Sequence, residues 1–343
     1  MRVLVWPTVH ELGGSGPEGP PHDHRAELNP RTTQRPGGDD VSSEDDALRL
    51  IAARQLPLCD IDTAHRASGG IRESGGAMEY VPSVLILVLA VDRDPWRSIE
   101  TEGQRRTWAS QDVDGIAIRF YYGELNRWEG RAIRVLTAAS RRAGLAKLRT
   151  WILRSAGLRH AINPRVLEVG DRLHIDAPET YVTIGVKTHA AMRYVFEHHH
   201  FDFLFRTNTS SYVNLGRLAE IVTQLPRAGI YAGVPMATRS GEIFLSGAGI
   251  LMSHDVVERV ALDTNLDYSA PDDVAIARSA TLSGVAMTRL GRIDLESLDQ
   301  IDQITQEELR TAFHYRCKVR GDRSQDIVLM TKLHDRLQAQ EMP

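Results

Sequence analysis

The pattern of apolar positions predicts a strand at Val84–Val91, the longest apolar run in the chain, within SVLILVLAV. A continuous run of this kind is typical of a strand buried on both faces, as in a parallel sheet covered by helices. A loop, DRDPW, then a helical segment, RSIETEGQRRTWAS, and a second apolar segment, GIAIRFYYG, follow it. This order predicts a strand–helix–strand unit with a right-handed crossover.

The alternation of strands and helices continues to the end of the chain. PRVLEVGDRLHIDAPE predicts a short strand and a loop, TYVTIGVKTHAAMRYVFEHHH a helix, and FDFLFRT a strand. Later segments predict a helix at LGRLAEIVTQLP, a short strand at IYAGVPM, a helix after SAPDD, and a basic loop with a final helix in FHYRCKVRGDRSQDIVLMTKLHDRL. The whole pattern predicts an α/β fold with a doubly wound, mixed but mainly parallel sheet, whose ligands bind beyond the carboxyl ends of the strands.

Residues 1–80 differ in composition, since they are rich in Gly, Pro, His, Asp and Arg and only SSEDDALRLIAARQL has helical periodicity. A segment this polar buries too little apolar surface to offset its ordering entropy, so we expect a disordered or loosely ordered leader. Met78 lies where the composition changes and is a candidate alternative start. We therefore expect one catalytic domain at 81–334 and a C-terminal tail at 335–343.

Two basic or histidine-rich stretches have alternative interpretations. Residues 127–163 are basic and helical in pattern, which indicates either a solvated surface or a patch that contacts anionic lipid or a phosphate-bearing ligand. The run His198–His200 resembles a metal site, but consecutive side chains on a helix point in different directions. We expect a helix C-terminus or a solvated face there.

Composition narrows the class of protein. The 343 residues include 41 Lys and Arg against 45 Asp and Glu, which argues against a dedicated nucleic-acid-binding protein. Two cysteines, Cys59 and Cys317, make no disulfide framework, so a reducing compartment is the simpler interpretation. With no apolar run long enough to span a bilayer and no secretory signal, we expect a cytoplasmic protein, with peripheral membrane contact left open.

Three polar segments are candidates for chemistry. FRTNTSSYVNLGRL follows a strand, and its Asn and Ser side chains suit either hydrogen bonds to a ligand or capping of the next helix. The pair Asp272–Asp273 is either an acidic helix N-terminus or a catalytic base beside a second carboxylate. The segment FHYRCKVRGDR is either a solvated basic face or a phosphate-binding one, and it carries Arg316, Lys318, Arg320 and Arg323.

In this order, the segments resemble the fringe and β-1,3-galactosyltransferase-type glycosyltransferases, which have a GT-A fold. The family's Arg-x-Thr-Trp matches Arg105–Trp108, and its D-x-Y-x-N-L-x-x-K-T segment matches Glu179–Thr188. Its metal motif, K-T-D-D-D-x-F-V-N-L, aligns with Arg206–Leu215. Its S-G-x-G-Y-x-L-S segment resembles LSGAGILMS, and its E-D-V aligns with Asp272–Val274. The resemblance covers roughly residues 81–334 and implies a single GT-A domain.

The chain departs from the family at the metal motif, where Asn208, Thr209 and Ser210 replace all three aspartates. Divalent ions prefer hard, anionic oxygen ligands, so the family's Mn²⁺, or Mg²⁺ in its place, is expected to bind poorly here. A late histidine is often a metal ligand in the family, which makes His314 the remaining candidate.

The resemblance also implies roles for individual residues. Asp273 takes the place of the inverting base, and Asp272 would position the acceptor or its own neighbour. The candidate donor-binding residues are Arg105, Lys187, Arg206, Thr207, Asn208, Thr209, Ser210, Arg316 and Lys318. The candidate sugar- or acceptor-binding residues are Ser246, Gly247 and Gly249.

The sequence therefore predicts an inverting glycosyltransferase that moves a sugar from a nucleotide-sugar donor to a carbohydrate acceptor and is either metal-independent or unusually weak in its metal binding. The alternative is a catalytically inactive GT-A-like protein that binds a sugar or a nucleotide. A Rossmann-type oxidoreductase is disfavoured because no glycine fingerprint follows the first strand.

Overall fold

The computed structural model describes residues 44–54, 58–60, 81–124, 128–145, 147–148, 151–152, 155 and 164–341, and within them the strands form one sheet of nine and one of three. The strands are β1 (Leu58–Asp60), β2 (Val84–Leu89), β3 (Ile116–Glu124), β4 (Val166–Val169), β5 (Arg172–Pro178), β6 (Phe203–Asn208), β7 (Ser211–Val213), β8 (Tyr231–Ala237), β9 (Ile243–Ser253), β10 (Met287–Arg289), β11 (Ile293–Leu295) and β12 (His314–Cys317).

The helices are α1 (Glu44–Arg54), α2 (Trp96–Ser98), α3 (Trp128–Arg142), α4 (Ile184–His198), α5 (Leu215–Thr223), α6 (His254–Ala261), α7 (Asp272–Leu282), α8 (Asp299–Gln303), α9 (Gln306–Thr311) and α10 (Gln325–Glu341). Helix α2 continues into a π-helical turn at Ile99–Gln104, and short 3₁₀ turns lie at Trp108–Ser110 and Tyr181–Thr183.

The large sheet has the order β1-β10-β8-β9-β6-β2-β3-β5-β4. Its central strands β6, β2, β3 and β5 are parallel to one another, while β9 and β4 run antiparallel to their neighbours. The predicted mixed, mainly parallel sheet is confirmed. The small sheet has the order β11-β12-β7, so it is built on the strand that follows β6 in the chain.

Strand β2 shows why helices cover both faces of the large sheet. Side chains alternate between the faces of a strand, and Val84, Ile86 and Val88 enter one apolar cluster while Leu85 and Leu87 enter another. Helices α5 and α10 contribute to the first cluster, and α4, α6 and α7 to the second. The predicted arrangement of helices on both faces is confirmed.

Three local elements differ from the sequence-based prediction. The segment expected to be one strand and a loop is a hairpin, in which β4 and β5 pair antiparallel and Gly170 turns the chain at a φ of 62°. Part of the expected basic loop is β12, because His314 and Tyr315 are buried against β7. Helix α10 extends to Glu341, so 335–341 continue the helix instead of forming a separate tail.

Two elements lie within the segment expected to be a leader. The predicted helix is α1, whose Ala47 and Ile51 are buried, and β1 pairs in parallel with β10 at the edge of the large sheet. These residues therefore pack on the domain. Residues 1–43, 55–57 and 61–80, with Met78 among them, lie outside the described residues.

The described part of the basic region 127–163 includes α3. Its side chains Trp128 and Val135 are 68% and 67% exposed, together with basic side chains such as Arg131.

Helix α4 ends at His198, the first residue of the histidine run, and the His198 imidazole contacts the Tyr194 carbonyl one turn earlier. The expectation of a helix C-terminus at this run is confirmed. Within the described part of the chain, no helix combines the length and the apolar character needed to cross a membrane.

Candidate functional site

The site lies where β9 pairs with the carboxyl end of β6. Thr207 of β6 pairs with Gly249 of β9, and the Thr207 hydroxyl donates to the Ala248 carbonyl at 2.6 Å. The Ser211 hydroxyl donates to the same carbonyl at 2.9 Å. These two hydroxyls therefore hold the glycine-rich part of β9 in place.

Gly247 brings an acidic pair to this strand. Its amide donates to Asp273 Oδ2 at 3.0 Å, and its carbonyl accepts a hydrogen bond from Arg206. A Cβ at this position would lie 2.6 Å from Arg206 Nη1 and 3.0 Å from Asp273 Oδ2, so only glycine allows the approach.

Asp272 is a buried carboxylate with fixed partners. It forms an ion pair with Arg206, and the two side chains are only 8% and 2% exposed. The Thr188 hydroxyl donates to Asp272 Oδ2 at 2.9 Å and is itself 3.0 Å from the Tyr121 hydroxyl. Because a buried charge requires such compensation, this network holds the start of α7 against β6.

Asp273 is the carboxylate that remains suited to proton transfer. It is only partly buried, and it accepts hydrogen bonds from the amides of Gly247 and Val274 at 3.0 and 2.9 Å. Burial, together with the negative charge of Asp272, raises its pKa to about 6, and Arg206 opposes the shift. A carboxylate with a pKa near neutrality is a suitable general base.

Four cations lie on the other side of this part of β9, and we call them the cationic cluster: Arg292, Arg316, Lys318 and Arg323. Arg292 Nη1 donates to the Ser246 hydroxyl at 3.0 Å, and Arg323 Nη2 donates to the Ser210 hydroxyl at 2.8 Å.

The small sheet positions these cations. Arg316 lies on β12 opposite Ser211 of β7, and Lys318 follows β12 directly. Arg292 precedes β11, which pairs with β12. The polar strand-end segment and the basic segment, more than a hundred residues apart, therefore meet through the pairing of β7 with β12.

The cations of the cluster are crowded. Burial and the neighbouring charges of Arg292 and Arg323 lower the pKa of Arg316, although Asp294 opposes this. Burial and the charges of Arg316 and Arg323 likewise lower the pKa of Lys318. An anion bound among these side chains would relieve the repulsion.

His314 is packed inside the fold. Its imidazole lies 3.0 Å from the Ser211 hydroxyl and edge-on to the Phe205 ring, and a Cβ on Gly249 would overlap it. Burial, reinforced by Arg292 and Arg316, holds its pKa well below the usual range, so the ring is neutral. Across the described residues, no three His, Cys, Asp or Glu side chains come together in a way that could hold a metal ion.

The residues at the metal-motif position do not suit a divalent cation. Asn208 Oδ1 accepts a hydrogen bond from the Ser210 amide at 2.9 Å, and the Ser210 hydroxyl faces the Arg323 guanidinium. Thr209 is buried, and its oxygen is neutral. Neutral oxygens are weak ligands for a divalent cation, and the neighbouring cations repel one, so binding of a metal ion at this position is disfavoured.

Two further candidates from the sequence have other partners. Lys187 is buried, with Nζ 2.7 Å from both oxygens of Glu179 and 3.2 Å from the Ala90 carbonyl. Arg105 pairs with Glu100 at 2.8 Å and with Asp171 at 2.5 Å. The Arg105 guanidinium lies 4.1 Å from the centre of the Phe120 ring on β3. Phe120 pairs with Val88 of β2, which pairs with Thr207 of β6, so Arg105 is level with the carboxyl end of β6 but two strands away from it.

No sequence motif marks Arg292 as a site residue. It lies in a charged stretch, LGRIDLE, with no motif around it, and only the β11–β12 pairing brings it to Ser246. Its side chain is 4% exposed, which is rare for an arginine and indicates a fixed position.

No protein-family model and no curated protein matches the chain. Among solved structures, it is similar to a mannosyltransferase from Pyrobaculum calidifontis in complex with GDP-Man and Mn²⁺, at 14% identity and a TM-score of 0.34, over 72% of this chain and 66% of that one, just under two thirds. It is also similar to mouse xyloside xylosyltransferase 1 in the apo form, at 10% identity and a TM-score of 0.32, over 68% of this chain and 97% of that one. Likeness at these TM-scores assigns no activity.

Proposed function

We propose that this protein is a glycosyltransferase of the GT-A type that transfers a sugar from a nucleotide-sugar donor to an acceptor hydroxyl with inversion. One observation carries the proposal. Consecutive residues of β9 contact the two groups that the reaction needs, since Gly247 binds the carboxylate of Asp273 and Ser246 binds Arg292 of the cationic cluster.

The chemistry divides between these two groups. Asp273 removes the proton of the acceptor hydroxyl as the acceptor oxygen attacks the anomeric carbon of the donor sugar. The bond from that carbon to the phosphate oxygen breaks, and its electron pair leaves on the nucleoside diphosphate. The cationic cluster stabilises the negative charge that develops there. Direct displacement of this kind inverts the anomeric configuration.

Other residues position these groups. Asp272, held by Arg206 and Thr188, keeps negative charge beside Asp273 and thereby raises its pKa. The space beside Gly247 is filled by Arg206 and Asp273. The space beside Gly249 is filled by His314, so both glycines serve packing and Ser246 is the candidate contact for a sugar. Asn208 and Ser210 lie at the carboxyl end of β6, where ligands of α/β sheets bind, and offer hydrogen bonds to the donor.

The proposal is tested by a screen of the full chain with UDP- and GDP-sugars, in which binding, hydrolysis and transfer to simple glycosides are measured with EDTA and with Mn²⁺. We expect binding and slow hydrolysis of at least one donor in EDTA. Absence of binding to every donor would overturn the proposal. Binding without hydrolysis or transfer would instead identify a GT-A-like binding protein without turnover.

A further inference from the structure

We infer that the cationic cluster is a metal-independent diphosphate site, in which Arg292 and Arg323 are fixed anchors and Arg316 and Lys318 bind the phosphate oxygens. The inference rests on the proposed function only for the source of the diphosphate, a nucleotide-sugar donor. The cluster itself is a property of the described residues.

The two anchors have their hydrogen bonds already made. Arg292 is nearly buried and forms a two-pronged pair with Asp294, at 2.5 and 2.9 Å, besides its bond to Ser246. Arg323 binds one oxygen of Asp326 through Nε and Nη2, at 2.8 and 2.6 Å, besides its bond to Ser210. These contacts hold the anchors at the carboxyl end of β6.

The other two cations are not committed in this way. The closest carboxylate oxygen to the Arg316 guanidinium is that of Asp294, at 3.6 Å, and Arg316 Nε is buried without a hydrogen-bond partner among the described residues. Lys318 keeps part of its side chain in solvent, and no hydrogen bond from its ammonium to the described residues offsets the burial of the rest. A guanidinium fork and a nearby ammonium are the donors that diphosphate oxygens bind best.

The charge balance favours an anion of this size. Among the described residues, the carboxylates of Asp294 and Asp326 form ion pairs with the cluster. Glu296 lies near Lys318 but pairs with Arg320, so the four cations of the cluster exceed their own paired carboxylates by two. A diphosphate diester would supply the two missing negative charges. At the same position the resembled family has three aspartates, which attract a metal ion, whereas here the Ser210 hydroxyl faces Arg323. The fixed cations therefore take over the metal's electrostatic role.

The test measures binding of inorganic pyrophosphate to the full chain by calorimetry near neutral pH in EDTA, with UDP, GDP and orthophosphate as further ligands. We expect pyrophosphate to bind, and Arg316→Gln and Lys318→Gln each to weaken binding about tenfold or more, because each removes a charge-assisted hydrogen bond. Arg320→Gln is the matched control, because the Arg320 side chain is 84% exposed and pairs with Glu296. The affinity of this variant for pyrophosphate should differ from that of the wild type by less than about twofold.

Folding of the variants is checked by thermal unfolding. Without ligand, Arg316→Gln should unfold at the same temperature as the wild type or at a higher one, because the substitution relieves repulsion between the cations. Pyrophosphate should raise the unfolding temperature of the wild type more than that of the variant.

The nucleotides distinguish the sources of the diphosphate. Tighter binding of UDP or GDP than of pyrophosphate indicates a site for a nucleoside diphosphate, and equal affinity indicates recognition of the diphosphate alone; both results support the site.

Three results would overturn the inference: binding that requires Mn²⁺, binding of pyrophosphate no tighter than that of orthophosphate, or unchanged affinity in both variants. The result is separable from the proposed function. EDTA-insensitive binding that depends on Arg316 and Lys318, without any transfer, leaves the site standing and removes the activity. Sugar transfer that persists in both variants leaves the activity standing and removes the diphosphate site.

Discussion

The guanidinium of Arg323 donates a hydrogen bond to the hydroxyl of Ser210, with Nη2 and Oγ 2.8 Å apart. On the sequence resemblance, Ser210 takes the place of the last aspartate of the metal motif, and the structure places a fixed cation beside its neutral hydroxyl. A carboxylate at position 210 would add a second negative charge beside Arg323, which already pairs with Asp326, and the neutral hydroxyl avoids this.

We expect Ser210→Asp to weaken pyrophosphate binding in EDTA by about tenfold, because the new carboxylate pairs with Arg323 and lowers the positive potential of the cluster. Calorimetry measures the change. Ser240→Asp, at an exposed turn position, adds the same charge away from the site and should bind as the wild type does. Affinity in Ser210→Asp equal to that of the control would contradict this role of Ser210.

The pKa of Asp273 predicts the pH dependence of transfer. A general base acts in its ionised form, so kcat/KM should rise with pH through about 6 and then level off. Asp273→Asn should lower kcat by about 10²- to 10⁴-fold and leave pyrophosphate affinity unchanged. Release of nucleoside diphosphate from the accepted donor is the measurement.

Asp112→Asn, a change at an exposed loop carboxylate, is the control for this substitution and should retain the wild-type profile. A variant at Asp273 that keeps both the rate and the pH profile would remove this residue from the mechanism.

The same pKa predicts an effect on stability. Because the pKa of Asp273 is raised from 3.8 to about 6, the folded state holds this proton more tightly than the unfolded chain does. The carboxyl therefore favours folding below a pH of about 3.8, and its contribution is lost as the pH rises to about 6. Asp273→Asn stays neutral throughout.

The free energy of unfolding of Asp273→Asn, relative to wild type, should thus increase over this pH range by up to about 3 kcal/mol and stay constant above it. Urea unfolding at several pH values measures the difference. A difference that does not vary with pH would show that the folded protein does not perturb this carboxyl.

Removal of Arg206 should mainly affect stability. Arg206→Met leaves the buried carboxylate of Asp272 without its counter-ion, which should lower the free energy of unfolding by about 3–5 kcal/mol. Arg97→Met, which breaks the exposed pair with Asp94, is the control and should change stability little. An equally small loss in Arg206→Met would mean that the charge of Asp272 is compensated by another group.

Gly249 provides a steric test of the packing around His314. A Cβ there would overlap the imidazole and lie 3.1 Å from Phe205 Cζ, so Gly249→Ala should lower the free energy of unfolding by about 1–3 kcal/mol. Gly216→Ala, on α5 with space for a methyl group, should not lower it. Equal stability of the two variants would mean that β9 and β12 separate easily.

Local patterns in the sequence determined the elements of the fold. The run at Val84–Val91 predicted a strand buried on both faces because two-sided burial requires apolar residues at every position, and β2 has this environment. The acidic pair at Asp272–Asp273 predicted a helix start, and α7 begins there. The order of the motifs predicted site residues on the segments that form β6, β9 and α7, and these three elements meet at the candidate site.

Tertiary structure alone decided which charges meet. The sequence assigns Arg206 and Arg105 the same candidate role in donor binding. In the structure, Arg206 is buried against Asp272, whereas Arg105 pairs with Asp171. Arg292 has no sequence signal and reaches Ser246 because β11 pairs with β12. The physical reason is that a hydrophobic pattern is a property of neighbouring residues, whereas the energy of a charge depends on burial and on partners that only the assembled sheets bring near.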